Sequence, residues 1–321
     1  MKLVVSSPPH RHVQLTEGKI HLDFIIALIP AVIFAVFTYG IHAARVIALA
    51  VSTAVISEIL IRKLFKKELT FTNGSAFLVG LLFALLMPPG VPYWVVITGS
   101  FLCIFIGKEL FGGLGSNPLN PVLVGWAIVR ISWPHYLDLN LGAVNFDLGF
   151  DFHFPLTMLK KGGAGAITDF NLFDLLLGKQ IGGIGAAAIL LLFIGGIYLL
   201  LRGRITWEIP ASFAAGVVIM AAIFWAGNPS VYANPLFHLF TGNVMIGMFF
   251  LSTDYSSSPF RRWGMIVYGL LCGFLVVIFR AWSVYPDGVA FAILIMSLFT
   301  PMLDRLKSKP KCLDVCYIEK R

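Results

Sequence analysis

The sequence reads as an all-α polytopic membrane protein of about ten transmembrane helices, arranged as two inverted five-helix repeats with broken or half helices and with both termini cytoplasmic. Three observations carry that expectation. Of the 321 residues, 58% are hydrophobic and only 12% charged, against about 25% charged in a soluble domain. The apolar residues fall in blocks of the length needed to cross a hydrocarbon core of ~30 Å, about 20 residues of helix. Third, the two halves of the chain echo each other: Asn73-Gly74 and Gly242-Asn243 each precede an apolar run, and Gly74 to Gly242 and Pro118 to Pro286 are both 168 residues apart. The mean hydropathy of +0.86 agrees.

The apolar blocks run approximately over 22–41, 43–61, 74–89, 94–111, 118–133, 183–201, 208–226, 236–251, 264–280 and 287–304. Those at 74–89, 118–133 and 236–251 are short and bracketed by Gly, Pro and Asn, the pattern of broken helices. Irregular backbone at membrane depth survives only where protein or a cavity satisfies its polar groups. With the N-terminus cytoplasmic, all but six of the 24 basic residues fall on the inner side or in the tail, the exceptions being Arg45, Arg130, Lys160, Lys161, Lys179 and Arg280. That bias orients the spans. It divides the chain into a cytoplasmic segment (1–21), a first repeat (22–134), an outer loop (135–182), a second repeat (183–304) and a basic cytoplasmic tail (305–321). Five spans per half is an odd number, so the second half would be inserted upside down, with sites near the midplane on broken helices.

The net charge of +8 sits mainly in loops flanking these blocks, which accounts for it without nucleic acid. No apolar leader with a cleavage site precedes the first block. Cys103 and Cys272 lie inside apolar blocks and behave as small hydrophobes. Cys312 and Cys316 in the tail are half a metal site at most, and the chain is expected to hold no metal. Of the seven histidines only His238 falls within a span, so no facing pair is available for haem. No Ser-His-Asp or metal-hydrolase spacing is present, and no catalytic residue is assigned.

Two polar breaks carry chemistry. In Lys108–Pro121, the glycines Gly112, Gly113 and Gly115 allow close backbone approach, and the prolines start a helix whose free N–H groups favour an anion. The same segment also suits a re-entrant turn without a ligand. In Phe250–Pro259, Asp254 is a carboxylate at the end of a membrane helix, suited to a cation or a proton and equally to capping a turn. Glu58 and Arg62, four residues apart, read as an ion pair at a helix end.

The runs KELFGGLGSNPLNPVLVGWA (108–127), NPLFHLFTGNVMIGMFFLSTDYSSSP (234–259) and YPDGVAFAILIMSLFTPMLD (285–304) resemble the D subunit of the Rnf complex, a family similar to the B subunit of the sodium-pumping NADH:quinone oxidoreductase. The resemblance covers about residues 15–306. It implies a multi-pass subunit of the inner (plasma) membrane, not catalytic alone, in an ion-translocating oxidoreductase. Such complexes move electrons between ferredoxin and NAD through flavins and iron–sulfur clusters, coupled to Na⁺ or H⁺. The partners implied are the other membrane and peripheral Rnf subunits, ferredoxin- or NADH-linked subunits indirectly, and lipid.

The family carries FMN joined through its phosphate to a threonine of the outer loop, and here the sequence departs. Pro155-Leu156-Thr157-Met158-Leu159-Lys160 matches the downstream half of the attachment motif, yet Phe154 fills the threonine slot and Asp147–His153 lack the upstream pattern. Phenylalanine has no hydroxyl with which to form a phosphoester. Only Thr157 remains for covalent FMN, so the flavin expected is riboflavin or FMN held non-covalently, with Gly112, Gly113 and Asn117 as binding candidates. Asn120, Asn243, Thr253 and Asp254 are the candidates for an ion pathway, whose affinity would shift as electron passage biases two arrangements of the broken helices. The competing readings are a divergent relative serving another membrane redox complex and an ion-conducting scaffold without flavin.

Overall fold

The computed structural model describes residues 16–67, 73–113, 115–138, 154–167, 170–178, 180 and 182–305; Asp147–His153, Cys312 and Cys316 lie outside them. Among the described residues the chain is helical, without strands. In order, the helices are α1 (Glu17–Tyr39), α2 (Ile41–Leu64), α3 (Ser75–Leu86), α4 (Tyr93–Ile104), α5 (Pro121–Ser132), α6 (Pro155–Gly162), α7 (Leu172–Leu176), α8 (Ile189–Leu201), α9 (Glu208–Gly227), α10 (Pro235–Leu239), α11 (Val244–Ile246), α12 (Arg262–Trp282) and α13 (Val289–Leu303). Wide π-helical turns extend α4 through Phe105–Glu109 and α11 through Gly247–Leu251.

Four of these helices, α1, α2, α9 and α12, are long and apolar enough to cross a membrane. They bear large apolar side chains outward, among them Phe37, Ile41, Ile56, Leu60 and Ile223, as lipid-facing helices do. The other apolar blocks also hold helices, but shorter ones. The expected block 236–251 is not one helix: it breaks after Leu239 and restarts at Val244. The block expected to begin at 183 becomes helical only at Ile189, because Ile184 N–H and Gly185 N–H are drawn into bonds with the Met87 and Leu85 carbonyls.

The break at 240–243 is built rather than frayed. Gly242 takes the left-handed conformation (φ +67°), as does Gly74 (φ +68°) ahead of α3. From α12, the buried Arg280 guanidinium donates to the His238 carbonyl at 2.5 Å and the Thr241 carbonyl at 2.7 Å. Asp287 accepts from the Asn243 N–H at 2.8 Å and pairs with Arg280 at 3.3 Å. The carbonyls left open by α10 and the amide at the head of α11 are therefore both satisfied without water.

The long helices pack through small residues. On α12, Gly269 and Gly273 form a Gly-x-x-x-Gly face against α9, where a Cβ on Gly273 would stand 2.6 Å from Val217 N and one on Gly269 2.7 Å from the Ile209 carbonyl. Removing side chains lets the two backbones touch, which is how helices associate when lipid supplies no hydrophobic drive. From the 135–182 region, Phe154, Leu156 and Leu175 form a separate apolar cluster with Ala233 and Phe237, and Ala164 N–H bonds the Ser230 carbonyl. That places α6 and α7 over the end of α9 and the start of α10.

Replacing Gly273 by valine is expected to push α12 off α9 and cost about 1–3 kcal/mol, the usual range for overpacking. A lowered unfolding midpoint in detergent, with Gly227→Val as the open-space control, is the measurement that checks it.

Candidate functional site

Two cavities lie at opposite ends of α3 and α5. The larger, about 330 Å³, is lined by Ser75, Leu78, Val79 and Leu82 of α3 and by Pro121 and Val122 of α5. The smaller, about 40 Å³, is lined by Leu86 at the end of α3 and by Trp126 and Arg130 farther along α5. The second half enters both from the reverse direction. Asn243, at the head of α11, lines the smaller cavity, whereas Phe250 and Thr253, past its end, line the larger one. Likewise α13 starts beside Pro286 and Asp287 of the smaller cavity, and its far end is held by Thr300 Oγ1 donating to the Ser257 carbonyl.

At the larger cavity, Asn117, Asn120, Thr253 and Asp254 come together on backbone segments from both halves. Asn120 caps α5, its Oδ1 accepting from Val122 N–H at 2.9 Å, while its Nδ2 donates to the Leu251 carbonyl at 3.0 Å. Asn117 Nδ2 donates to Ser256 Oγ at 2.6 Å. Thr253 Oγ1 bonds back to the Phe249 carbonyl at 2.7 Å. Asp254 Oδ2 accepts from Ser256 and Ser257 hydroxyls, both at 2.9 Å, so the turn-capping role read from sequence is present, and the carboxylate also lines the cavity. Burial pushes this carboxyl, in the loop beyond the span, above its ordinary range, while the serine hydroxyls pull it back.

The remaining wall is largely apolar, with Ile20, Phe24, Val79, Leu82 and Phe250. A concave apolar site with a few convergent polar groups, at the low end of the usual volume range, suits a small flat ligand. Its wall carries charges of both signs, the carboxylates of Glu17 and Asp254 and the ammonium of Lys108.

Gly112 and Gly113 lie elsewhere. Both have positive φ, +112° and +106°; a Cβ on Gly113 would meet Arg62 Nη2 of the ion cluster at 2.9 Å, and one on Gly112 would meet Ser116 at 3.6 Å. Gly115 is the glycine of this loop that reaches the cavity. Asn243 is at the other cavity, so the four ion-pathway candidates divide three to one between the two ends.

Sequence reading missed a buried charge cluster. Glu58 and Arg62 do pair, at 3.4 Å, yet each has a closer partner across the fold: Arg62 Nε donates to Glu109 Oε1 at 2.8 Å and Lys108 Nζ to Glu58 Oε1 at 2.6 Å. Lys67 at the rim adds a contact to Glu109 at 3.6 Å. The signal available was Lys108-Glu109 inside an apolar block, an arrangement that in a membrane demands partners. Also missed were Arg280–Asp287 and the buried Asp23, which pairs with Arg202 and Arg204.

Thr157, on α6, lines the smaller cavity together with Phe154. Phe154 is 2% exposed and fills the apolar cluster beneath α6. The space they border, about 40 Å³, is much smaller than the 330 Å³ of the larger cavity.

Comparison with known proteins adds a family. The model of the NQR2, RnfD, RnfE family matches residues 4–312. The chain is 36% identical over 321 residues to the D subunit of the Na⁺-translocating ferredoxin:NAD⁺ oxidoreductase complex of Acetobacterium woodii, covering 100% of this chain and 98% of the relative. It is 35% identical to the D subunit of the proton-translocating ferredoxin:NAD⁺ oxidoreductase complex of Clostridium ljungdahlii, over 96% of this chain and 95% of that one. A third relative, the D subunit of an ion-translocating oxidoreductase complex of Alcanivorax borkumensis, is 34% identical, with 95% of each chain covered.

Arg280→Met should leave Asp287 without its counter-ion and two break carbonyls without a donor, at a cost of about 3–5 kcal/mol for one half of a buried pair. Arg280→Lys should recover only part of it, since an ammonium cannot span the two carbonyls and the carboxylate as a planar fork does. Unfolding midpoints of the three proteins check both statements.

Proposed function

Since the chain belongs to the NQR2, RnfD, RnfE family, we propose that it is the D subunit of an Rnf-type ion-translocating ferredoxin:NAD⁺ oxidoreductase complex in the cell's inner (plasma) membrane, where it holds a non-covalent flavin and contributes to Na⁺ or H⁺ movement. It is not an enzyme by itself. Its partners are the other membrane and peripheral subunits of the complex, ferredoxin- and NADH-linked ones among them.

The observation that carries the reading is the larger cavity, placed where broken helices of both halves meet and lined by Asn117, Asn120, Thr253 and Asp254. When bound there, the isoalloxazine supplies the electron-carrying chemistry. The protein holds it between apolar walls and offers Asn117, Ser256 and Lys108 as polar contacts. The carboxyl of Asp254 then stands within the same chamber as the site of a cation or a proton.

The architecture supports this. Helix starts in the two halves are offset by nearly one value: Ile41 and Glu208 by 167 residues, Ser75 and Val244 by 169, Tyr93 and Arg262 by 169, Pro121 and Val289 by 168. Because α3 and α5 begin at the larger cavity while α11 and α13 begin at the smaller, the matched helices run in opposite senses. We read this as an inverted repeat of five helices each, 22–134 and 183–304, ten crossings with both termini cytoplasmic, and the larger cavity on the cytoplasmic side. The two relatives of nearly equal identity carry names with different ions, so overall likeness does not select between Na⁺ and H⁺.

Denaturing and precipitating the purified chain should release flavin to the supernatant, and Thr157→Val should leave flavin content unchanged. Flavin retained by the precipitate, or none at all, would overturn the non-covalent reading. In the assembled complex, Asp254→Asn should lower ion transport at least tenfold while the flavin stays bound; unchanged transport and electron transfer would remove Asp254 from the pathway.

A further inference from the structure

Four charged side chains, Glu58, Arg62, Lys108 and Glu109, are each at least 94% buried and linked into one cluster. Only Lys108 among them reaches the wall of the larger cavity. Its ammonium has three donors; one goes to Glu58 Oε1 and one to Ser75 Oγ, both at 2.6 Å. The third has no partner among the described residues. The ion pair is thus oriented, with the cation on the cavity side and the Glu58 carboxylate behind it on α2.

We propose that Lys108 is a binding residue of the cavity that sets the reduction potential of its occupant, its ammonium favouring the arrival of an electron there. This rests on the flavin reading given above. One electron from the complex's low-potential iron–sulfur donor adds to the occupant, Lys108 keeps its proton, and no bond is made or broken. Between apolar walls the attraction between that electron and a cation in contact with the occupant is stronger than in bulk water. Glu58, behind the lysine and farther from the occupant, opposes it less strongly than Lys108 favours it. The other charged groups on the wall do not cancel the effect. Glu17 is exposed and bonded to Asn73 at 3.2 Å, hence screened, and the charge of Asp254 is held by two serine hydroxyls. His21 Nδ1 lies 2.8 Å from the Asn73 carbonyl, an acceptor that fixes this nitrogen as the donor.

The test is a spectroelectrochemical titration of the full-length chain in lipid nanodiscs with riboflavin as the probe. Lys108→Met should make electron arrival at least tenfold less favourable, a fall of about 59 mV for one electron. Glu58→Gln, which keeps an acceptor for Lys108 and removes only the opposing charge, should raise the potential. Lys108→Arg should stay near the parent value. General damage to the site would shift Lys108→Met and Glu58→Gln in the same direction, so opposed shifts support the inference, and parallel or absent shifts overturn it while leaving the flavin reading intact. If Lys108→Met does not fold, a rise in Glu58→Gln supports the inference and no rise overturns it. Failure of the parent chain to bind riboflavin would overturn the flavin reading and this inference with it.

Discussion

Backbone that leaves a helix at membrane depth has no water to bond, and every polar group it opens must find a partner in the protein. Much of the architecture answers that demand. The break between α10 and α11 is closed by Arg280 and Asp287, which reach it from α12 and the loop before α13. The break between α4 and α5 is closed from the other half, through Asn120 to the Leu251 carbonyl and Asn117 to Ser256. Each interruption is therefore also a joint. The first joint lies within the second half and the other pins the two halves to one another, and both border the cavities. A continuous helix would need no such partner and would leave no such space.

Buried charge follows the same logic at higher stakes. An uncompensated ion in this environment is costly, and a pair is tolerated only with close geometry and further hydrogen bonds. The cluster of Glu58, Arg62, Lys108 and Glu109 balances two charges of each sign. It depends on the π-helical turn after α4, where Leu110 N–H bonds the Phe105 carbonyl five residues back, to bring Lys108 and Glu109 onto α2 together. The local irregularity is thus compensated by the ion pairs it makes possible, and π-turns commonly mark such positions.

How much of this was legible in the sequence depends on the range of the interaction. Hydrophobic block length is a local property, and all ten apolar blocks carry helix. The left-handed Gly74 and Gly242 could be read from their neighbours, and so could Asn120 as a cap before Pro121. Pairings over long separations were not visible. Glu58 had an obvious partner four residues on, which concealed the closer one fifty residues away at Lys108. Nothing local marks Arg280 as the donor that mends 238–241. The glycines at 112 and 113 looked like ligand-approach positions because flexibility is readable while its purpose is not; one of them makes room for Arg62. The absence of a hydroxyl at Phe154 was plain in the sequence, but its burial against Ala233 and Phe237 required the fold.

The two cavities approach each other closely along the helices they share. On α3 the last residue lining the larger is Leu82 and the first lining the smaller is Leu86; on α5 the corresponding residues are Val122 and Trp126. Either way the separation is one helical turn, about 6 Å of rise, in place of a ~30 Å hydrocarbon slab. If both chambers admit water, most of the transmembrane voltage drops across that septum, so that a charge carried past one turn of helix does nearly the full electrical work of crossing, about 2.3 kcal/mol per 100 mV. A displacement no larger than a side chain's reach would then suffice to exchange that work with the electron's.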